Sequence, residues 1–280
     1  MKKTKVVVIG GMNLDVLGMP NGQYIPYDSN IGKVIFRPGG VGRNIATACV
    51  NTCDEVSFIT AFGDDSNAKM LWDTCTHAGI DVSRSIHMQA NTNVYLCIHD
   101  DKGDMIAAIN DMGLNDALTS SVLAPHIDFI NEHDACIVEG NLPQETLCFL
   151  AEHVQIPIIA DPVSCVKADK FIPVLKNLRA FKPNLLEAQY LSKKETLPEM
   201  ADFFLSLGLK QLFISLGKDG LYYTDGKTSG IIPSPRVVHT VQTGAGDALL
   251  SGLCKGICQQ LSIKECATLG VECAYLHLSK

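Results

Sequence analysis

The chain has no long apolar run. Apolar residues make up 46% of its 280 positions, yet no segment approaches the 18 or more uninterrupted apolar residues of a membrane span. The basic start, residues 1–5, leads into an apolar run at 6–9 that is too short for a signal peptide and ends in Gly10 and Gly11, so a cytoplasmic location is expected. Paired cysteine motifs are missing too. The 11 cysteines are odd in number and scattered singly from Cys49 to Cys273 without a CxxC, which argues against a disulfide framework or structural zinc and for buried thiols in a reducing compartment. Positive charge is in deficit, with 23 Lys and Arg against 30 Asp and Glu, a formal net charge of −7. A nucleic-acid polymer is therefore not an expected partner, whereas a small anionic ligand needs only a local site. Repeats, low-complexity tracts and linkers are also absent, which leaves a single domain spanning 1–280 as the simplest organisation.

What is present is an alternation of two patterns. Short apolar runs at 6–9, 57–61, 135–139, 157–160, 180–182 and 211–216, most of them closed by Gly, Asp, Asn or Pro, read as buried parallel strands. Between them, 42–53, 66–78, 144–153, 185–192 and 199–207 have helical spacing. The implied fold is α/β, a mainly parallel sheet with helices on both faces. Segments at about 14–37 and 85–110 break the rhythm with polar alternation and turn pairs. They are expected to form a small antiparallel sheet that covers a site as a lid, or else a hairpin that decorates an edge.

Ligands of open parallel sheets bind beyond the carboxyl ends of the strands, and the polar residues worth noting collect there. The run 243–247, Thr-Gly-Ala-Gly-Asp, is a glycine turn feeding a helix. Amides of Gly244, Ala245 and Gly246 can point at one spot where the helix dipole adds about half a positive charge, which suits phosphate. Asp247 at the exit has the natural task of accepting a proton from an attacking hydroxyl. The same residues also make an ordinary helix cap. Asn13 and Asp15 follow the first strand and suit neighbouring hydroxyls such as those of ribose, or an Asx turn. The GxGxxG spacing of a dinucleotide fold is not there. A second glycine turn, 38–44, opens a helix with Gly40 and Asn44 and permits close approach to a polar ligand or tight packing; Arg43 within it reads as a solvated charge. Asn184 and Glu187, three apart at a helix start, suit a hydrated Mg²⁺ or a capping arrangement. Ser215, Gly217 and Gly220 form a strand and glycine loop that fits either a nucleotide groove or a plain hairpin.

Taken together, the GG turn in the N-terminal third, the GAGD turn near the end and KPNLLEA at 182–188 resemble the ribokinase-like family of sugar and nucleoside kinases, through nearly the whole chain. Within it, residues 28–33, GGVGRNIA at 39–46, AINDM at 108–112 and DPVS at 161–164 are similar to members that act on pseudouridine. The resemblance implies a three-layer α/β/α sandwich with a β-sheet lid. It also implies transfer of the γ-phosphoryl group of ATP to the 5′-hydroxyl of pseudouridine, or to ribose, another sugar or another nucleoside. A nucleoside-binding protein that has lost phosphotransfer is the reading from a different class.

Carried over by position, the resemblance implies Asp247 as general base with Gly244, Ala245 and Gly246 stabilising the migrating phosphoryl group. Asp15, Gly40 and Asn44 would hold ribose hydroxyls, Asn13 would assist, and Asn110 and Asp111 would reach the base or ribose. Asn184, Ser215, Gly217 and Gly220 would line ATP, and Glu187 with Asn184 would position Mg²⁺ largely through water. Val241 stands where many relatives carry an acidic residue near a monovalent cation, so potassium activation is in doubt. Relatives usually continue beyond the last helix-like segment, which leaves two readings, a truncated chain or a more open adenine pocket with weak ATP binding. A homodimer through the lid is expected, with no membrane partner.

Overall fold

The computed structural model describes residues 3–236 and 244–279; Val241 and Thr243, noted above, lie outside the described residues. Fifteen strands are described: β1 (Lys5–Ile9), β2 (Asn13–Pro20), β3 (Gly32–Gly39), β4 (Glu55–Ile59), β5 (Ala61–Phe62), β6 (Ile80–Asp81), β7 (Ile86–His87), β8 (Val94–His99), β9 (Met105–Asp111), β10 (Ala135–Glu139), β11 (Ile158–Asp161), β12 (Ala180–Phe181), β13 (Leu212–Ser215), β14 (Leu221–Thr224) and β15 (Ser229–Ile232). The α-helices are α1 (Val41–Val50), α2 (Ser66–His77), α3 (Ser120–Leu123), α4 (Ile127–Asn131), α5 (Gln144–His153), α6 (Cys165–Ala168), α7 (Leu185–Ser192), α8 (Leu197–Ser206), α9 (Ala245–Cys258) and α10 (Ile263–Leu278).

Nine strands form the main sheet in the order β15-β14-β13-β12-β11-β10-β1-β4-β6, parallel from β13 to β6 and closed at the other edge by the antiparallel β13-β14-β15 meander. Its central strands are buried on both faces, which is why they read as unbroken apolar runs. Along β1, Val7 and Ile9 join one core while Val6 and Val8 join the other, as the two-residue period of a strand requires. The first core is filled by α5, the 169–177 turns, α7 and α8, with Phe171, Phe181 and Phe204 in ring contact. The second is filled by α1, α2, α9 and α10. These are the three layers expected. No helix of the described residues is long and apolar enough to cross a membrane.

A separate four-stranded sheet runs β3-β2-β8-β9. It occupies the two segments that broke the alternation, but it is not wholly antiparallel. The β2-β3 and β8-β9 pairs are antiparallel, whereas the central pair β2-β8 is parallel, because both hairpins leave the main body in the same direction and meet along their outgoing strands. The hairpin at 221–232 and the short strands β5, β6 and β7 went unforeseen; two-residue strands carry too little periodicity to be seen.

Phe181 sits in the middle of the sheet, fully buried, with ring centroids 5.4 Å from Phe171 and 5.7 Å from Phe204. Phe181→Ala should cost about 3–5 kcal/mol of unfolding free energy in a urea titration. A loss under about 1 kcal/mol would mean that these layers do not pack as described.

Candidate active site

The carboxyl ends of β1, β10, β11, β12 and β13 share one rim, and α9 aims its N-terminus at it. Gly244 caps α9 with φ 88°, a left-handed conformation that favours glycine, and no side chain caps the helix. Its leading amides are therefore without an intrahelical partner, as at every helix start. Asp247 stands half-buried in that first turn. Burial, and then repulsion from Asp161, push its carboxyl up to about 7, against the pull of Lys182, Arg43 and a hydrogen bond from Asn44.

Lys182, just past β12, is buried and pairs with Asp161, the last residue of β11, at 2.9 Å. Burial alone would lower its ammonium, but the carboxylates of Asp161, Asp247 and Glu187 reverse this and hold it above its ordinary value. Its Nζ lies about 3.7 Å from where a Cβ on Gly246 would stand, so the cation faces the glycine turn directly. Sequence reasoning did not name Lys182. A lysine closing an apolar run was the available signal, since such a group is buried only with a partner.

Arg43 is not the solvated charge that was expected. It is half-buried beneath the first turn of α1, bonding the Pro38 carbonyl and the Thr47 hydroxyl, and its Nε is buried without an acceptor. Burial lowers its guanidinium, partly offset by Asp15 and Asp247. The glycines around it are explained by the protein's own backbone: a Cβ on Gly40 would stand 2.5 Å from Met12 Cα, and one on Gly42 2.9 Å from the Gly10 carbonyl carbon. The GG turn thus packs on the β1-β2 junction and delivers Asn44 to Asp247.

Beside this lies a cavity of about 190 Å³, lined by Gly11, Met12, Asn13, Gly40, Val41, Asn44, Asn110, Met112, Asn115, Asn141, Val163 and Lys167. Asn13 donates to Asp15 at 2.6 Å; burial raises the Asp15 carboxyl while Asn13, Arg43 and Arg37 act the other way. Strand register separates the two lid residues. Asn110 pairs with Tyr95, which pairs with Asp15, so these share one face of the small sheet; Asp111 belongs to the opposite set, and both Asn110 and Asp111 are exposed. Of the two, Asn110 lines the cavity, and Asp111 is not among its lining residues.

Three polar side chains of the lining were missed: Asn115, Asn141 and Lys167. Asn115 is held by Asn93, which donates to its Oδ1 at 2.8 Å. Asn141 is fixed by Glu139, whose Oε2 accepts from the Asn141 backbone N–H at 2.8 Å and Nδ2 at 2.7 Å while Oε1 accepts from Gly11 N–H at 2.6 Å. Lys167 donates to Asn141 Oδ1. Complete burial pushes Glu139 up to about 7 despite these donors. Val163 carries φ 69°, a strained left-handed conformation for a β-branched residue, with its N–H on Asp161 Oδ1 at 2.8 Å.

Asn184 and Glu187 form a reciprocal capping box, Glu187 N–H to Asn184 Oδ1 at 2.9 Å and Asn184 N–H to Glu187 Oε2 at 2.8 Å. Burial raises the Glu187 carboxyl, as does Asp161. Ser215 bridges to Asn184 at the end of β13. Gly217 (φ 61°) and Gly220 (φ 107°) then turn the chain into β14, so this loop is also the hairpin that its sequence allowed; Gly217 faces open space, while Gly220 abuts the backbone after β15. Among the described residues no cluster of three or more His, Cys, Asp or Glu is placed to hold a metal.

Residues 3–280 match the pfkB family of carbohydrate kinases. The chain is 33% identical to the pseudouridine kinase of Escherichia coli over 98% of its own length and 92% of that protein, and 26% identical to a ribokinase of Lactococcus lactis over 99% and 91%. A carbohydrate kinase from Agrobacterium tumefaciens superposes with a TM-score of 0.89 at 25% identity, covering 99% of this chain and 91% of that one. A glycine-capped helix start beside a buried lysine and a perturbed aspartate thus sits on a sheet shared along almost its full length with these kinases, and the chain belongs to the pfkB family of carbohydrate kinases.

Proposed function

We propose that the protein transfers the γ-phosphoryl group of ATP to the 5′-hydroxyl of pseudouridine, giving pseudouridine 5′-phosphate. The observation that carries this reading is the pairing of Asp247 with Asn44, which ties the proton acceptor of the helix N-terminus to an asparagine-lined cavity. A nucleoside placed there presents hydroxyls and a base edge with both donors and acceptors, and amide side chains from Asn13, Asn44, Asn110 and Asn115 match either kind. The likeness to the E. coli pseudouridine kinase over nearly the whole chain supports pseudouridine as the acceptor.

In this reading Asp247 takes the proton of the 5′-hydroxyl as the oxygen attacks phosphorus. Amides of Gly244, Ala245 and Gly246, with Lys182 beside Gly246, stabilise the negative charge on the migrating group. Asp15, with Asn13 and Gly40, holds ribose hydroxyls, and Ser215, Asn184, Gly217 and Gly220 border the ATP groove. The capping box bears on Mg²⁺. Asn184 Oδ1 and Glu187 Oε2 are already engaged, so direct ligation by both does not fit. A hydrated ion held chiefly by phosphates, with Glu187 reaching its waters, does fit. When bound, Mg²⁺ would supply charge neutralisation on the phosphates.

A homodimer through the small sheet belongs to the same proposal. Phe36, Val16, Leu96 and Ile109 form one cross-strand row on the face away from Asn110, and Phe36 and Ile109 are 61% and 65% exposed. Apolar rows of this kind mark contact surfaces. Light scattering at micromolar concentration should give twice the chain mass, and Phe36→Asp should return it to one; a monomer in the parent protein contradicts the dimer.

Incubation with Mg²⁺, ATP and a panel of pseudouridine, uridine, other nucleosides and ribose, read by mass detection of product, tests the acceptor. Pseudouridine should give the highest kcat/KM; a higher value for ribose would move the assignment to a sugar kinase.

Asp247→Asn should cut kcat by about 10²-fold or more. In the parent, kcat/KM should rise with pH through about 7 and level off, because the base form grows above the raised pKa. The folded protein also binds this proton more tightly than the unfolded chain between about 4 and 7, so the charged carboxylate subtracts stability at neutral pH. The Asn variant should therefore melt about 2 °C higher, for about 1 kcal/mol regained. Parent-like turnover removes Asp247 from its role.

A further inference from the structure

Hydrogen bonds to the protein settle which end of each cavity amide a ligand meets. Asn93, buried just before β8, accepts the Leu114 N–H on Oδ1 at 2.9 Å and donates through Nδ2 to the Met12 carbonyl at 3.1 Å and to Asn115 Oδ1 at 2.8 Å. An amide has one acceptor end and one donor end. Asn115 is 6% exposed and its Oδ1 is turned to Asn93, so Nδ2 is the end left for the cavity it lines.

Asn141 is fixed in the same manner. Its Nδ2 donates to Glu139 and its Oδ1 accepts from Lys167 Nζ. An ammonium has three N–H groups and no acceptor, so two donors of Lys167 remain for the cavity. Lys170 clamps the turn from its other side, donating to the Gly140 and Leu142 carbonyls, each at 3.0 Å. Asn115 and Lys167 belong to one connected set, because a Cβ on Gly11 would stand 2.9 Å from Asn115 Oδ1 while the Gly11 N–H rests on Glu139 at 2.6 Å. Asn13 is oriented the other way: its Nδ2 donates to Asp15, which leaves Oδ1 as an acceptor.

The cavity therefore has two chemical sides. Asn13 Oδ1 suits a ligand hydroxyl, and the pair Asn115 Nδ2 and Lys167 Nζ suits carbonyl oxygens. Resting on the nucleoside reading above, we propose that Asn115 and Lys167 determine specificity by donating to the two carbonyl oxygens of the base. The acceptor is thereby restricted to nucleosides whose base carries two keto groups, the class to which pseudouridine belongs. A carbonyl oxygen arriving at either donor replaces the water that the donor loses. An exocyclic amino group in the same place sets donor against donor and leaves both without acceptors, which a site built for hydrogen bonding rejects strongly.

The test compares pseudouridine with pseudocytidine and pseudoisocytidine, in which an amino group replaces one or the other keto group, and with ribose, which has no base. In the parent, each amino analogue should give a kcat/KM about 10-fold to 100-fold below that of pseudouridine, the range for one hydrogen bond to a charged or buried group. Lys167→Met and Asn115→Asp should each lower kcat/KM for pseudouridine by a similar factor, mostly through KM, and each should bring one analogue to within about threefold of pseudouridine. On ribose the loss should be at least about tenfold smaller. Calorimetric titration of the same nucleosides without ATP should give the same order. Asn115→Asp keeps Oδ1 for Asn93 and Lys167→Met keeps the aliphatic stem; thermal melts verify that both fold, and the parent's ranking of the analogues decides even if one does not. A parent that prefers pseudouridine to ribose yet takes all three nucleosides equally overturns the donor pair and leaves the kinase reading standing. So do folded variants that lose pseudouridine and ribose turnover alike. A parent that prefers ribose overturns both.

Discussion

The site rests on one buried ammonium. Lys182 is enclosed at the end of the sheet, and a lysine in such a place persists only if carboxylates offset the loss of water. Asp161 does so directly, while Asp247 and Glu187 contribute from further off. Around this point stand two cationic side chains, Lys182 and Arg43, and three carboxyls, Asp161, Asp247 and Glu187. Full ionisation would leave an excess of one negative charge beside a helix start suited to anions. Burial, and then this excess of negative charge, raise the Asp247 carboxyl to about 7. A polyphosphate entering here would bring more negative charge, which an accompanying divalent cation would offset.

Close backbone contact supplies the geometry. A Cβ on Gly10 would stand 2.6 Å from Glu139 Oε1, and one on Gly39 2.5 Å from Asp15 Oδ1. Each glycine therefore leaves room for a carboxylate to lie against the main chain. The GG turn and the β1-β2 junction are pressed together, α1 leaves at a fixed angle, and Asn44 reaches Asp247. Rigid placement of this kind keeps a proton acceptor oriented before any ligand arrives.

How far the sequence revealed this depended on pattern length. Buried parallel strands are continuous apolar runs, and the helices α1, α2, α5, α7 and α8 have clear spacing, so the layers were legible. The polarity of β2 against β8 was not, because pairing direction between two hairpins leaves no trace in either hairpin's own alternation. Asn110 and Asp111 looked equivalent as neighbours in a motif, and only the strand register places them on opposite faces. Glu139, Asn141 and Lys167 form one unit in space but come from β10, the turn after it and α6. Nothing in their spacing shows that. Arg43 was read as a solvated charge, and only the folded turn shows its guanidinium against the Pro38 carbonyl and the Thr47 hydroxyl.

Glu139 and Asp247 have the same raised pKa, about 7, and different tasks. A perturbed carboxyl therefore does not by itself identify a general base. Both oxygens of Glu139 are saturated by Gly11 and Asn141, and its burial is complete. A proton taken up there would have to displace a structural hydrogen bond. Asp247 is half-buried, is contacted by Asn44 and stands in the first turn of a helix that no side chain caps, where, on the proposed function, a hydroxyl and phosphorus would both approach it. On the proposed function, accessibility to the reacting atoms is what separates them: Glu139 holds Asn141 and Gly11 in place, and Asp247 would take part in the chemistry.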